Sequence, residues 1–148
     1  LKKFVLDTNL YVRAFRNREA AAELERFYAW FTPQSYLSSV VLHELLIGAS
    51  TAAKVQQIDR EIARPFRRTV RLVTPTHRSW ETSAQVLARM AREEGLELGR
   101  VPRSLVNDVL LAASCQEVGA TLITDNRDDF ARIHRFLRFE FAVPRPGP

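Results

Sequence analysis

The chain has 148 residues, 46% hydrophobic and 26% charged, the balance of one soluble globular domain rather than a disordered chain. Cys115 is its only cysteine, which excludes an intrachain disulfide and a cysteine-rich zinc site, and no apolar run nears the roughly 20 residues that cross a bilayer. The formal charge is +5, and 19 of the 22 basic residues are arginines, whose planar fork suits phosphate; a GC-rich genome explains the same bias.

After Leu1 come two lysines and then only three apolar residues before Asp7. That is too short for a signal-peptide core, so a cytoplasmic protein is expected. Lys3 to Asp7 reads as a short buried strand that stops at an acid. A helical turn over Thr8 to Phe15 follows, then a helix from Glu19 to Trp30 with Pro33 beyond its end. Ser35 to Ser38 reads as a second strand. Ser39 is placed to cap a helix over Val40 to Ala49, and a further helix runs from about Ala52 to Ala63, before Pro65. Thr69 to Val73 is the third predicted strand, stopped by Pro75. Thr76 opens a long helix ending near Gly95, and Glu97 to Pro102 is a loop. Arg103 to Val118 is a helix closed by Gly119. Ala120 to Thr124 forms the fourth strand, Asp128 to His134 a short helix, and Phe139 to Phe141 an edge strand. The expected organisation is one domain over residues 1–143 and a tail over 144–148. Strands separated by helices predict a three-layer α/β/α fold around a mainly parallel sheet, with its functional crevice beyond the carboxyl ends of the strands.

Four acids stand in apolar settings. Asp7 ends the first strand and Asp125 the fourth, so central parallel strands would present both at one sheet edge. Glu44 lies within Val40 to Ile47 and Asp108 within Leu105 to Ala113, helical segments that are apolar nearly all round. An acid buried in such a helix needs a partner or a proton. A salt bridge to an arginine is one answer, and a shared cation is the other. Two carboxylates about 4 Å apart repel by roughly 4 kcal/mol at an effective dielectric of 20. Oxygen ligands without cysteine point to Mg²⁺ or Mn²⁺, which lower the pKa of a bound water and hold a phosphodiester oxygen.

The segments Val5-Leu6-Asp7-Thr8-Asn9, Ser39 to Gly48, Asn107 to Ala113 and Leu122 to Phe130 resemble, in order and spacing, the four motifs of PIN domains, above all of VapC-type toxin ribonucleases. The resemblance covers nearly the whole chain. It implies a PIN-like fold and a metal-dependent endoribonuclease in which Asp7, Glu44 and Asp108 match the first three acids and Thr8 helps orient the site. For the fourth acid Asp125 is preferred, with Asp129 as the alternative and Asn126 as a polar contact. The resemblance further implies an RNA substrate, an antitoxin partner and a homodimer. Arg13 and Arg127 are candidate RNA contacts, with Arg16 and Arg18 further along the same rim. Arg64-Pro65-Phe66-Arg67-Arg68 interleaves an aromatic with cations, a pattern that suits RNA backbone and base stacking and equally a solvated helix end. His43, His77 and His134 have no evident catalytic place, Cys115 fits a core, and Ser38, Ser39 and Ser104 fit helix caps.

Two rival readings remain. One is a PIN fold that binds RNA or protein without turnover, which is favoured by Asp125 standing one residue before the family's usual fourth position, here Asn126. The other is a phosphotransfer domain with Asp7 as nucleophile, which wants an acid where Asn9 stands.

Overall fold

The computed structural model describes residues 1–144, and Arg145 to Pro148 of the expected tail lie outside the described residues. Five parallel strands form one sheet: β1 (Lys3–Leu6), β2 (Ser35–Ser38), β3 (Leu72–Val73), β4 (Ala120–Ile123) and β5 (Glu140–Ala142), in the order β3-β2-β1-β4-β5. The sheet is therefore all-parallel. Its centre is β1, whose Val5 and Leu6 are buried and pair in register with Leu122 and Ile123 of β4. Continuous apolar runs of this kind are what a sheet covered on both faces requires.

The helices are α1 (Thr8–Arg16), α2 (Arg18–Phe31), α3 (Ser39–Ile47), α4 (Ala52–Ile58), α5 (Arg64–Arg68), α6 (His77–Glu94), α7 (Arg103–Val118) and α8 (Arg127–His134). From β1 the chain steps outward through β2 to β3, then returns across the sheet to β4 and β5. Right-handed crossovers put α1 to α5 on one face and α6 to α8 on the other. The contacts agree: α1 packs on α2, and α7 packs on α6, α8 and β4. The order in which strands are added reverses between β1 and β4, so a crevice is expected at their carboxyl ends, where such sheets bind ligands.

Three expectations need correction. Ser38, not Ser39, caps α3 by accepting from the Val40 amide at 3.1 Å, while the Ser39 hydroxyl meets that of Thr74 at 2.8 Å. The helix after Ala52 does not stop before Pro65. A π-helical turn over Asp59–Ala63 widens it, the Arg64 amide reaches back to the Asp59 carbonyl, and Pro65 enters the first turn of α5, where a missing N–H is tolerated. The third strand keeps only Leu72 and Val73. Thr69 is drawn into the end of α5 by its amide bond to the Pro65 carbonyl at 3.3 Å, and Val70 turns the chain at φ 55°. The loop after Gly95 also contains a 3-10 turn over Leu98–Arg100.

The remaining ends follow local chemistry. Asn17 caps α2 and Thr76 caps α6, each with a side-chain oxygen on free amides of the first turn. Gly119, at φ 69°, closes α7 in the left-handed conformation that glycine adopts without strain.

Candidate active site

Asp7 follows the last residue of β1 and is 4% exposed. Its amide extends the sheet ladder to the Ile123 carbonyl at 2.9 Å, which fixes the backbone at the crevice. One carboxylate oxygen accepts from the Thr8 amide at 2.8 Å, making Asp7 the N-cap of α1, and Oδ2 accepts from the Thr124 hydroxyl at 2.8 Å. Burial raises the Asp7 pKa; the bonds from Thr124 and Thr8 act against burial, and the charges of Glu44 and Asp125 act with it.

Glu44 reaches the same place from α3. Its Oε1 accepts from the Thr8 hydroxyl at 2.8 Å, so Thr8 ties the end of β1 to α3 through its side chain while its amide serves Asp7. His43 is exposed on the same helix.

Asp108 comes from α7 on the opposite face. Burial, then the charges of Asp7, Glu44 and Asp129, push its pKa up to about 8. All four influences act in one direction, and among the described residues no basic group relieves them. At neutral pH the isolated protein therefore keeps a proton among these acids.

The two candidates for the fourth acid differ in their surroundings. Asp125 is exposed beyond β4 and ion-paired with Arg13 of α1. Asp129, in the first turn of α8, accepts from the Asn126 side-chain amide at 2.7 Å. Asp125 adds its charge on the Asp7 side of the crevice, Asp129 on the Asp108 side. Arg127 opens α8 and is exposed.

Thr124 is the residue that sequence reasoning missed. It is fully buried, donates to Asp7, and accepts from the Asn126 amide at 2.9 Å. A hydroxyl at a strand end directly before an acid was the available signal. Further along α7, burial and then the charge of Asp7 push the Cys115 thiol up to about 12.

The donor set is entirely oxygen, which fits a hard divalent cation. Among the described residues, however, no three His, Cys, Asp or Glu side chains close into a ready-made metal cage. The arrangement brings Asp7, Glu44 and Asp108 within reach of one another's charge and gives Asp7 and Glu44 hydroxyl partners in Thr124 and Thr8.

Elsewhere, the arginine-aromatic segment does not offer a stacking surface. Phe66 is buried, with the Arg71 guanidinium 5.2 Å from its ring centroid, and Asp59 takes Arg64 at 2.9 Å and Arg67 at 2.7 Å. Arg16 lines a groove between α1 and α4 that ends at Glu44, and Arg18 is exposed at the start of α2. Among the described residues, no helix is long and apolar enough to cross a membrane.

A PIN domain family model matches residues 4–135. A DNA-bound VapBC structure from Salmonella typhimurium is similar at TM-score 0.71 and 20% identity, over 98% of this chain and 100% of that one. FitAcB from Neisseria gonorrhoeae is similar at 0.65 and 20% identity, over 97% of each chain. VapBC2 from Rickettsia felis, bound to a DNA fragment from its promoter, is similar at 0.63 and 22% identity, over 95% of this chain and 97% of that one. At these identities the likeness is one of fold. No curated protein matches the chain in sequence.

Proposed function

The chain belongs to the PIN domain family, and from that premise we propose that it is a metal-dependent endoribonuclease, the toxin of a toxin-antitoxin pair. The observation that carries the reading is the meeting of Asp7, Glu44 and Asp108, from β1, α3 and α7, at the carboxyl end of the parallel sheet. Their mutual repulsion, with no ion pair to any of the three among the described residues, is what a divalent metal would offset.

In this reading Asp7, Glu44 and Asp108 hold Mg²⁺ or Mn²⁺, with Asp125 or Asp129 completing the set. When bound, the metal supplies a water of lowered pKa and polarises a phosphodiester oxygen. Thr124 and Thr8 aim the Asp7 and Glu44 oxygens and keep both side chains from rotating away. Asn126 steadies Asp129 in the same manner. Arg13 and Arg127 meet the RNA phosphates at the rim, and no covalent protein intermediate is needed.

A solved relative described as a member of the VapBC family of toxin-antitoxin systems supports the antitoxin partner. A homodimer and a cytoplasmic location belong to the same proposal. The test is RNA cleavage in Mg²⁺ and in Mn²⁺ by the native chain and by Asp7→Asn. Cleavage by the native chain that is lost in the variant is expected; metal-dependent cutting that survives Asp7→Asn would contradict the site. One observation favours binding without turnover instead, the pairing of Asp125 with Arg13. That reading expects RNA to be retained intact by the native chain in both metals.

A further inference from the structure

Among the described residues, Asp7, Glu44, Asp108 and Asp129 join no ion pair, whereas Asp125 has Arg13. Arg13 stands in the last turn of α1, the helix that Asp7 caps, and its guanidinium meets Asp125 beyond the neighbouring strand β4. The pair therefore ties α1, the helix that follows β1, to the segment that follows β4.

The pair is open to exchange. The two side chains are 52% and 36% exposed, and an ion pair so placed is worth at most about 1 kcal/mol. Arg13 also has somewhere to go: it lines a cleft of about 190 Å³ beside Leu6 and Ile123, with Arg26 and Glu23 on the same wall. Two guanidiniums lining one cleft are suited to a phosphate.

We propose that Arg13 is an exchangeable counter-ion: it occupies Asp125 until a divalent cation takes that carboxylate, and the released guanidinium then holds an RNA phosphate at the crevice mouth. The inference rests on the metal-dependent nuclease reading and adds an order of events to it. Metal and Arg13 compete for one acid, so metal loading and RNA grip are coupled through a single side chain.

The test is calorimetric titration of Mn²⁺ into the metal-free protein for the native chain, Arg13→Gln, Asp125→Asn and the double variant, with circular dichroism confirming that each is folded. Arg13→Gln is expected to bind Mn²⁺ about two- to fivefold more tightly, the equivalent of losing a competing exposed ion pair. In the Asp125→Asn background the same substitution should change nothing. An equal gain in both backgrounds would mean that Arg13 acts only as a distant charge, and would overturn the exchange while leaving the nuclease reading intact. A native chain that neither binds Mn²⁺ nor cleaves RNA would instead defeat the nuclease reading itself. A second arm measures a fluorescent single-stranded RNA by anisotropy. Arg13→Gln should weaken its binding in Ca²⁺ but not in EDTA, and a loss of equal size in both would also overturn the proposal.

Discussion

Replacing Asp108 by Asn should remove most of the pH dependence of folding between pH 5 and pH 8. In the folded protein the Asp108 carboxyl rises from 3.8 to about 8, through burial first and then through Asp7, Glu44 and Asp129. The native state thus holds this proton more tightly than the unfolded chain. The resulting stability is fully present below about pH 4 and is lost as the pH climbs towards 8. At about 1.4 kcal/mol per pH unit the ceiling is on the order of 5 kcal/mol; because Asp108 keeps some contact with water, about 2–3 kcal/mol is the expected measurable part. Asp7 shifts in the same direction and leaves a residual slope in the variant. Asp59, Glu94 and Glu117, whose pKa values are lowered by their donors, lose their contributions only in more acidic solution, outside this window. Urea denaturation in EDTA at pH 5 and pH 8 measures the effect. The native chain should be less stable at pH 8, Asp108→Asn should be nearly flat, and Mg²⁺ should flatten the native profile. A native stability that is constant or rises from pH 5 to 8, or a variant with the full native slope, would refute the electrostatic account of the site.

Other consequences are as direct. Thr124→Val removes the donor to Asp7 and the acceptor of the Asn126 amide; it should cost about 1–3 kcal/mol by denaturant titration and raise the Asp7 pKa seen by carboxyl NMR, whereas Thr124→Ser should do neither. Gly119→Ala meets open space but keeps φ 69°, so its cost should be left-handed strain alone, about 1–2 kcal/mol in thermal melts. Cys115, buried and raised to about 12, should react with a disulfide reagent only once the protein is unfolded; prompt reaction in native buffer would show that the core around α7 opens.

Much of this architecture was legible in the amino-acid order. An apolar run that stops at an acid announced β1 and Asp7, and Arg103 to Val118 with Gly119 announced α7 and its end. The parallel sheet followed from the alternation of strands and helices. What escaped notice depends on neighbours remote in the chain. Thr124 reads as an ordinary β-branched strand residue until β1 is laid beside it and its hydroxyl finds Asp7. Pro65 signals a helix end in any local reading, and only the π-helical turn before it lets the helix continue. Phe66 looked available to a nucleobase because burial against Tyr28 and Arg71 is a tertiary fact. The partner of Asp125 was likewise invisible among 19 arginines.

The pairing of β1 with β4 joins the first strand of the chain to the fourth. During synthesis, Asp7 leaves the ribosome well before Asp108 and Thr124 and has neither beside it until they follow, Thr124 standing 117 residues further along. Long-range parallel pairing of this kind forms late. A chain aborted before Ala120 therefore carries no assembled crevice, and whatever chemistry the acids perform waits until β4 has been made.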